Sequence, residues 1–182
     1  VKELISLVFP IEKATNAYRF LESEEKPLAV LLKYDWEKYI KKPLIERKIL
    51  VPIKEKKIEG KIGVGIIGAG SFVQSVHLPN LKNLDKYYYL RAVVTQHGVR
   101  GKFLSQQYRM DYATTDYIEV LQDPQIDLAF IGTRHNLHCP MVIDALKNGK
   151  VVFVEKPLCL TREELENIKE EVVRNKMPVI VG

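Results

Sequence analysis

Short apolar runs alternate with amphipathic segments through the last two thirds of the chain. The runs are bounded by glycine or rich in β-branched and aromatic residues, which is typical of strands buried on both faces. They are residues 62–68 (IGVGIIG), 87–95, 126–133, 150–157 and 177–182. The segments between them have helical spacing, and residues 161–175 open with Thr161 and Glu164, the pattern of a capping box. This alternation predicts an α/β fold with a doubly wound parallel sheet.

The first 57 residues follow a different pattern and predict an N-terminal αβ appendage. Residues 4–10 and 27–34 each predict a strand, and residues 11–24 between them predict an amphipathic helix. The apolar face of that helix would be Ile11, Ala14, Tyr18 and Leu21. A charged, proline-bearing stretch then leads into the sheet. We place the domain boundary near residue 57, with the appendage and linker at 1–57 and the sheet domain at 58–182.

The composition indicates a soluble, cytoplasmic protein without a membrane partner. Of 182 residues, 46% are hydrophobic and 28% charged, yet no run of 18 apolar residues and no signal-peptide pattern occurs. The two cysteines, Cys139 and Cys159, suit a reducing compartment and no disulfide framework. The chain begins without methionine, so we expect a fragment of a longer protein.

A basic stretch raises the question of nucleic-acid binding. Residues 33–61 hold ten Lys or Arg against five Asp or Glu, within a chain of net charge +5. Acidic residues are interspersed, and no nucleic-acid recognition motif accompanies the stretch. We interpret it as a solvated linker, and DNA binding by this linker is the alternative.

Two overlapping glycine patterns compete for a phosphate-binding role. Gly63, Gly65 and Gly68 match G-x-G-x-x-G literally, but a charged segment precedes them where a buried strand is required. Gly68 and Gly70 follow the predicted strand and precede the predicted helix, although Val73 replaces the third small residue. We therefore assign the phosphate site to the second set, in a Rossmann-type sheet. The predicted cofactor-binding segment comprises Gly68, Ala69, Gly70, Ser71 and Phe72.

The end of the second strand bears on the choice of cofactor. An Asp or Glu there binds the ribose 2′-hydroxyl of NAD, whereas this chain has Thr95 and no carboxylate before Asp111. Thr95, Arg100 and Lys102 would accept a 2′-phosphate. We expect NADP or NAD, and favour NADP.

Four stretches in order resemble the Gfo/Idh/MocA oxidoreductase family, which pairs a Rossmann domain with an open-sheet C-terminal domain. They are GIIGAGSFVQSVHLPNL, IGTRHNLHCPMVIDALKNGK, VVFVEKPLCLT and PVIVG, within residues 60–182. The resemblance implies that Lys156 lies near the nicotinamide and contacts the reacting hydroxyl or carbonyl as the catalytic residue. It implies that Glu155 lines the nicotinamide side. It also implies that Pro157, often preceded by a cis peptide in the family, aims the lysine.

The stretch from Gly132 to His138 resembles the family's A-T-P-N-x-x-H segment beside the cofactor. Thr133 and His138 match, whereas Arg134 and His135 replace the usual Pro and Asn. The resemblance implies cofactor contacts for Gly132, Thr133 and His138. Arg134 departs from the family pattern; as a cation beside the site it would meet a phosphate of the cofactor or an acidic substrate, and the alternative is that it points to solvent. For His138 a helix-start histidine bonded to backbone is the alternative, and we interpret His77 on the first helix as structural.

Residues 5–34 resemble the closing segment of a zinc-type medium-chain alcohol dehydrogenase. No zinc-ligand motif occurs, so we infer no metal. The chain would then be the junction of a fused two-module dehydrogenase, with the second domain of the Gfo/Idh/MocA module missing. We expect such a fragment to bind cofactor but to be inactive alone.

The function that these motifs imply is NAD(P)-dependent hydride transfer. The resemblance implies a sugar-like or cyclitol-like substrate with a hydroxyl or carbonyl group, and no nucleic-acid partner. The alternative is a dinucleotide-binding sensor or regulatory domain without chemistry. The oligomeric state stays open, and a homo-oligomer is one option.

Overall fold

A computed structural model describes residue 5 and residues 7–23, 27–35, 48–50 and 60–182. By its internal contacts the chain divides into two units, residues 1–46 and 47–182. The boundary predicted near residue 57 lies among residues 51–59, outside the described residues.

The first unit contains a parallel strand pair joined through a helix. Strand β1 (Leu7–Pro10) pairs with β2 (Val30–Lys33), and helix α1 (Ala14–Leu21) follows a short 3₁₀ turn. Ala17 is the buried residue of α1, and the Phe20 ring lies 6.2 Å from the Phe9 ring. Tyr18 and Leu21 are exposed, so the predicted apolar face is wrong at these two positions. The face that meets the strands is rotated toward Ala17 and Phe20.

The second unit is built on a seven-stranded sheet in the order β3-β6-β5-β4-β7-β8-β9. Strand β3 pairs antiparallel with β6, and all other pairs are parallel. The strands are β3 (Lys48–Leu50), β4 (Ile62–Ile67), β5 (Tyr88–Val94), β6 (Tyr112–Thr114), β7 (Leu128–Ile131), β8 (Val151–Val154) and β9 (Val179–Val181). The strand order reverses at β4, where the chain first extends toward β6 and later toward β9. This is the doubly wound Rossmann arrangement, and the predicted fold class is confirmed.

Five helices flank this sheet in the described part of the second unit. They are α2 (Leu78–Asn83), α3 (Gly98–Gln107), α4 (Tyr117–Gln122), α5 (His138–Lys147) and α6 (Arg162–Asn175). A π turn (Val73–His77) precedes α2, and a 3₁₀ turn (His135–Leu137) precedes α5. The predicted capping box is confirmed: Thr161 accepts from the Glu164 backbone N–H, and Glu164 accepts from the Thr161 backbone N–H.

Two strands were not predicted from the sequence. Strand β6 has three residues, too few for a period of two to be recognised. Strand β3 falls within the charged stretch that we interpreted as linker.

The central strands are buried on both faces. Val64 and Ile66 of β4 belong to one hydrophobic cluster, whereas Ile67 belongs to the cluster on the opposite face. Helices α2 and α3 contribute Leu78 and Leu104 to the first cluster. Helices α5 and α6 contribute residues such as Val142 and Ile168 to the second. Because helices cover both faces, the runs in the sequence are continuously apolar rather than alternating.

A buried ionic network stabilises the amino-terminal edge of the sheet. Arg91, skipped by the register shift between β4 and β5, bonds Asp111 and also Asp123 at 3.1 Å. Tyr112 donates to Asp123 at 3.0 Å, and Lys150 donates to the Asp123 carbonyl at 2.8 Å. Burial by itself would raise the pKa of Asp123. The donors around its carboxylate, namely the Gln125 N–H, the Tyr112 hydroxyl and Arg91, outweigh burial and lower that pKa.

Candidate functional site

A cleft of about 400 Å³ opens at the carboxyl edge of the sheet, where the strand order reverses. In open α/β sheets this is the place where ligands bind. Segments following β4, β5, β6 and β7 form its walls. The lining residues are Ile67, Gly68, Ala69, Gly70, Val94, Thr95, Gln96, His97, Arg100, Thr115, Tyr117, Gly132, Thr133, Arg134, Leu137 and Met141.

Gly68 and Gly70 form the turn between β4 and the following helix, and both line the cleft. Gly68 has a φ of +86°, and a Cβ there would lie 2.6 Å from Cγ2 of Thr133. A Cβ at Gly70 would meet nothing within 4 Å, so that position faces open space. Gly68 is therefore required by the backbone, whereas Gly70 leaves the cleft accessible to a ligand at the helix N-terminus.

The literal G-x-G-x-x-G pattern has a packing explanation. A Cβ at Gly63 would lie 1.9 Å from the carbonyl oxygen of Gln125, and one at Gly65 would lie 2.3 Å from Cγ1 of Val120. Both glycines let α4 and the loop after it approach the sheet closely. Neither lines the cleft.

Val73, the third position of the fingerprint, packs against a glycine on the neighbouring strand end. Its side chain is buried, and a Cβ at Gly132 would lie 2.4 Å from Cγ2 of Val73. Because Gly132 has no side chain, there is room for valine at position 73 in place of the usual glycine or alanine. Gln74, which the sequence analysis did not single out, also stabilises the turn: its Nε2 donates to the carbonyl of Ala69 at 2.5 Å.

The end of β5 presents cationic and neutral groups to the cleft. Arg100 lines it, and so does Thr95, whose hydroxyl donates to the His97 carbonyl at 2.9 Å. Lys102 is exposed and does not line the cleft. Within the described part of the chain, no Asp or Glu is among the lining residues, and Arg134 adds a second guanidinium. The cleft therefore suits an anionic ligand.

Tyr117 closes the cleft on the β6 side with a fixed ring. Its hydroxyl donates to Oδ2 of Asp144 at 2.7 Å. Burial, and after it the hydrogen bond to Asp144, raise the pKa of Tyr117 to about 12. Tyr117 therefore lines the cleft with its hydroxyl held by Asp144, a residue outside the cleft lining.

His138 lies behind the cleft rather than in it. Its ring is fully buried, with Nδ1 2.7 Å from the Pro157 carbonyl and Nε2 3.2 Å from the Thr133 carbonyl. The residue therefore links the loop after β7 to the loop after β8. The structure does not support the direct cofactor contact predicted for His138, and it corresponds to the backbone-bonded alternative.

Glu155, Lys156 and Pro157 follow β8, next to β7 at the same edge of the sheet. Lys156 is exposed, and the peptide bond between Lys156 and Pro157 is cis. The Glu155 carboxylate lies 2.5 Å from Nε2 of His77. These three residues do not line the 400 Å³ cleft, but they lie on the β8 side of it.

The structure brings together most, but not all, of the predicted cofactor-binding residues. Those that line the cleft are Gly68, Ala69, Gly70, Thr95, Arg100, Gly132, Thr133 and Arg134. Those that do not are Ser71, Phe72, His138, Glu155, Lys156 and Pro157. The lining residues that the sequence analysis did not predict are Ile67, Val94, Gln96, His97, Thr115, Tyr117, Leu137 and Met141. Recognition of β6 from the sequence would have pointed to Thr115 and Tyr117, which follow it.

The described residues were also considered for a metal site and for a membrane span. They contain no group of three or more His, Cys, Asp or Glu side chains arranged to hold a metal ion. No helix among them is long and apolar enough to cross a bilayer.

The chain is similar to several known proteins over about half to two thirds of its length. Myo-inositol 2-dehydrogenase of Thermotoga maritima is 29% identical over 119 residues, covering 65% of this chain and 35% of that protein. The NAD(+)-dependent scyllo-inositol 2-dehydrogenase of Bacillus subtilis is 40% identical over 83 residues, covering 46% and 24%. A 3-ketoreductase from Actinomadura kijaniata, solved in complex with NADP and TDP-benzene, matches with a TM-score of 0.63 at 22% identity. That match covers 67% of this chain and 37% of that protein.

This chain spans between 24% and 37% of the length of these proteins. The Gfo/Idh/MocA family model, described as an oxidoreductase family with an NAD-binding Rossmann fold, matches residues 62–182. That match coincides with the parallel part of the sheet and with the glycine turn at its switch point. The chain therefore belongs to the Gfo/Idh/MocA family of NAD-binding Rossmann oxidoreductases.

Proposed function

We propose that this chain is the cofactor-binding part of an NAD(P)-dependent dehydrogenase. Its reaction would be hydride transfer to or from a hydroxyl-bearing carbon of a sugar-like or cyclitol-like substrate. The observation that carries the proposal is the Gly68–Gly70 turn at the switch point, with Lys156 on the same edge of the sheet. The relatives that are inositol dehydrogenases support the substrate class.

The residues present fit a dinucleotide that crosses the switch point. Backbone N–H groups at Gly70 and the helix after it would hold the pyrophosphate, because no side chain fills the space above that turn. The adenosine half would lie on the side of β5 and β6, against Arg100 and Tyr117. The nicotinamide half would then lie toward β8, where Glu155 and Lys156 stand.

Lys156 is the candidate catalytic residue. The bound nicotinamide supplies or accepts the hydride. An exposed ammonium beside it would stabilise the substrate oxygen as negative charge develops, or move a proton to or from that oxygen. Pro157, held through its carbonyl by His138, would keep the lysine on the cleft side.

We further propose that NADP is preferred over NAD. The absence of acidic residues among the described cleft-lining groups, together with Arg100, supports binding of a 2′-phosphate. Thr95 contributes less than its sequence position implies, because its hydroxyl already donates to the His97 carbonyl.

Fluorescence titration of the chain with NADPH and with NADH tests both proposals. We expect NADPH to bind more tightly, and Arg100→Gln to remove most of that difference. Lys102→Gln is the matched control, because it removes a charge from the same helix outside the cleft. Tighter binding of NADH would refute the NADP preference, and failure of the folded chain to bind either would refute the cofactor site.

The variant Lys156→Ala in the full-length protein distinguishes an enzyme from a dinucleotide-binding sensor. An enzyme loses turnover by orders of magnitude but retains cofactor binding, whereas a sensor has no turnover to lose. Because this chain covers about a third of its relatives' length, we expect it alone to bind cofactor with little or no turnover.

For residues 5–34 we propose kinship with the closing segment of a medium-chain alcohol dehydrogenase. The parallel pairing of β1 with β2 through α1 supports a βαβ segment of this kind. Finding the remainder of such a module in the full-length protein, upstream of this segment, is the test.

A further inference from the structure

His77 links the helix after the glycine turn to the strand end that carries Lys156. Its Nε2 lies 2.5 Å from Oε1 of Glu155, the residue immediately before the lysine. Both side chains are largely buried, with 19% of His77 and 15% of Glu155 exposed. Neither the glycine fingerprint nor the Glu-Lys-Pro motif includes this contact, because 78 positions separate its partners.

An aromatic pocket holds the His77 ring. Ring centroids lie 5.2 Å away for Phe72, 4.8 Å for Phe130 and 5.7 Å for Phe153. Phe130 and Phe153 stack on each other at 4.5 Å. Phe130 and Phe153 belong to the hydrophobic core or pack against it, whereas Phe72 is exposed, so the imidazole lies between the core and an outer ring.

The local backbone explains how His77 reaches across the edge of the sheet. His77 ends the π turn Val73–His77, and Pro79 follows within the first turn of α2. Pro79 has no N–H to donate to the carbonyl of Ser75, four residues earlier, so regular α-helical bonding cannot pass through this point. The π turn widens the helix there, a feature that often accompanies functional sites.

Charge makes this contact relevant to the cofactor. The oxidised nicotinamide ring is a cation and the reduced ring is neutral, so a carboxylate near the ring favours the oxidised form. An imidazole N–H that donates to the carboxylate fixes its orientation and withdraws part of its negative charge. We propose that His77 is a positioning residue that sets, through Glu155, the relative affinity of the site for oxidised and reduced cofactor. This inference rests on the proposed function, which puts the nicotinamide beside Glu155.

Binding measurements on four variants test the inference without any turnover. Reduced cofactor is titrated by its fluorescence, and oxidised cofactor by competition, at one pH. His77→Phe keeps a ring in the aromatic pocket and removes the donor, whereas His77→Gln keeps an N–H donor. Glu155→Gln removes the charge, and the double variant His77→Phe/Glu155→Gln completes a cycle. Asn80→Gln, on the exposed side of the same helix, is the control.

We expect His77→Phe to raise the ratio of oxidised to reduced affinity about tenfold or more, the scale of a hydrogen bond to a charged group. Glu155→Gln should lower the ratio of oxidised to reduced affinity, because it removes the negative charge. The double variant should have the same ratio as Glu155→Gln, because without that charge the loss of His77 has no further effect. His77→Gln and Asn80→Gln should keep the wild-type ratio. A purely structural role for His77 would weaken both forms equally.

If the wild type binds both forms of the cofactor and His77→Phe has the same ratio of oxidised to reduced affinity, the inference is wrong. The proposed cofactor site would not be contradicted by that result. If the wild-type chain binds neither form, the proposed function fails and the inference fails with it. Should His77→Phe prove unfolded by circular dichroism, His77→Leu replaces it with the same expected ratio and the same contradicting outcome.

Discussion

Alanine at Gly68 and alanine at Gly70 separate the structural and binding roles of the glycine turn. Both positions line the cleft, but their surroundings differ. At Gly68 the backbone has φ +86°, and a Cβ would lie 2.6 Å from a Thr133 methyl and 2.9 Å from the Gly132 carbonyl oxygen. At Gly70 a Cβ would meet nothing within 4 Å. The same chemical change therefore has two different predicted consequences.

The expected magnitudes follow from these distances. A left-handed backbone with a Cβ costs about 1–2 kcal/mol, and overpacking a tight site costs about 1–3 kcal/mol. Gly68→Ala should thus lower the free energy of unfolding by about 2–5 kcal/mol. Gly70→Ala should change it by less than about 1 kcal/mol. The added methyl group would instead stand between the backbone N–H groups and the pyrophosphate, weakening dinucleotide binding about tenfold or more.

Urea unfolding followed by circular dichroism measures the first effect, and NADPH fluorescence titration measures the second. Wild-type stability in Gly68→Ala would refute the steric reasoning, because no relaxation short of moving the β7 end relieves that contact. Wild-type affinity in a folded Gly70→Ala would refute the assignment of the phosphate site to this turn.

Three further predictions concern stability. His138→Ala removes a buried ring whose two nitrogens lie within hydrogen-bond distance of the Pro157 and Thr133 carbonyls, so urea unfolding should show a loss of about 2–4 kcal/mol. Because the folded-state pKa of Asp123 is lowered, its contribution is full above the unfolded pKa of about 4 and is lost as pH falls toward the folded pKa. Asp123→Asn should therefore be less stable at pH 7, and its stability should fall less on acidification between about pH 5 and 3. A wild-type-like pH profile in this variant would contradict the assignment. Thr161→Ala removes the α6 cap and should cost about 1 kcal/mol in thermal unfolding, whereas an unchanged midpoint would contradict the cap's role.

Local patterns identified the elements that carry the site. Strand β4, the glycine turn and the helix after it were predictable because an apolar run, two glycines and helical spacing follow one another directly. The capping box of α6 was predictable for the same reason, since Thr161 and Glu164 are three residues apart. The choice of Gly68 and Gly70 over the literal pattern needed only the segments on either side.

Contacts between distant segments explain most of what was missed. The Arg91 network joins the middle of β5 to the residue before β6 and the residue after α4, and no local period marks these positions. Strand β6 is identified by its parallel pairing with β5, because its own three residues are too few to show a pattern. The inward face of α1 is displaced by one position from the predicted face: Ala17 is buried and the Phe20 ring lies near Phe9, whereas Tyr18 and Leu21 are exposed.

The sequence by itself determined the fold class, the strand–turn–helix around Gly68 and the motif that makes Lys156 a candidate. The strand–turn–helix depends on residues close together along the chain, where spacing decides which side chains share a face. The candidate role of Lys156 follows instead from the family resemblance of the Glu-Lys-Pro motif. Only the tertiary structure decided that His138 lies behind the cleft, that Gly63 and Gly65 serve packing, and that His77 meets Glu155. Each of these outcomes depends on which strands, helices and loops pack against one another, and that packing is a property of the folded chain as a whole.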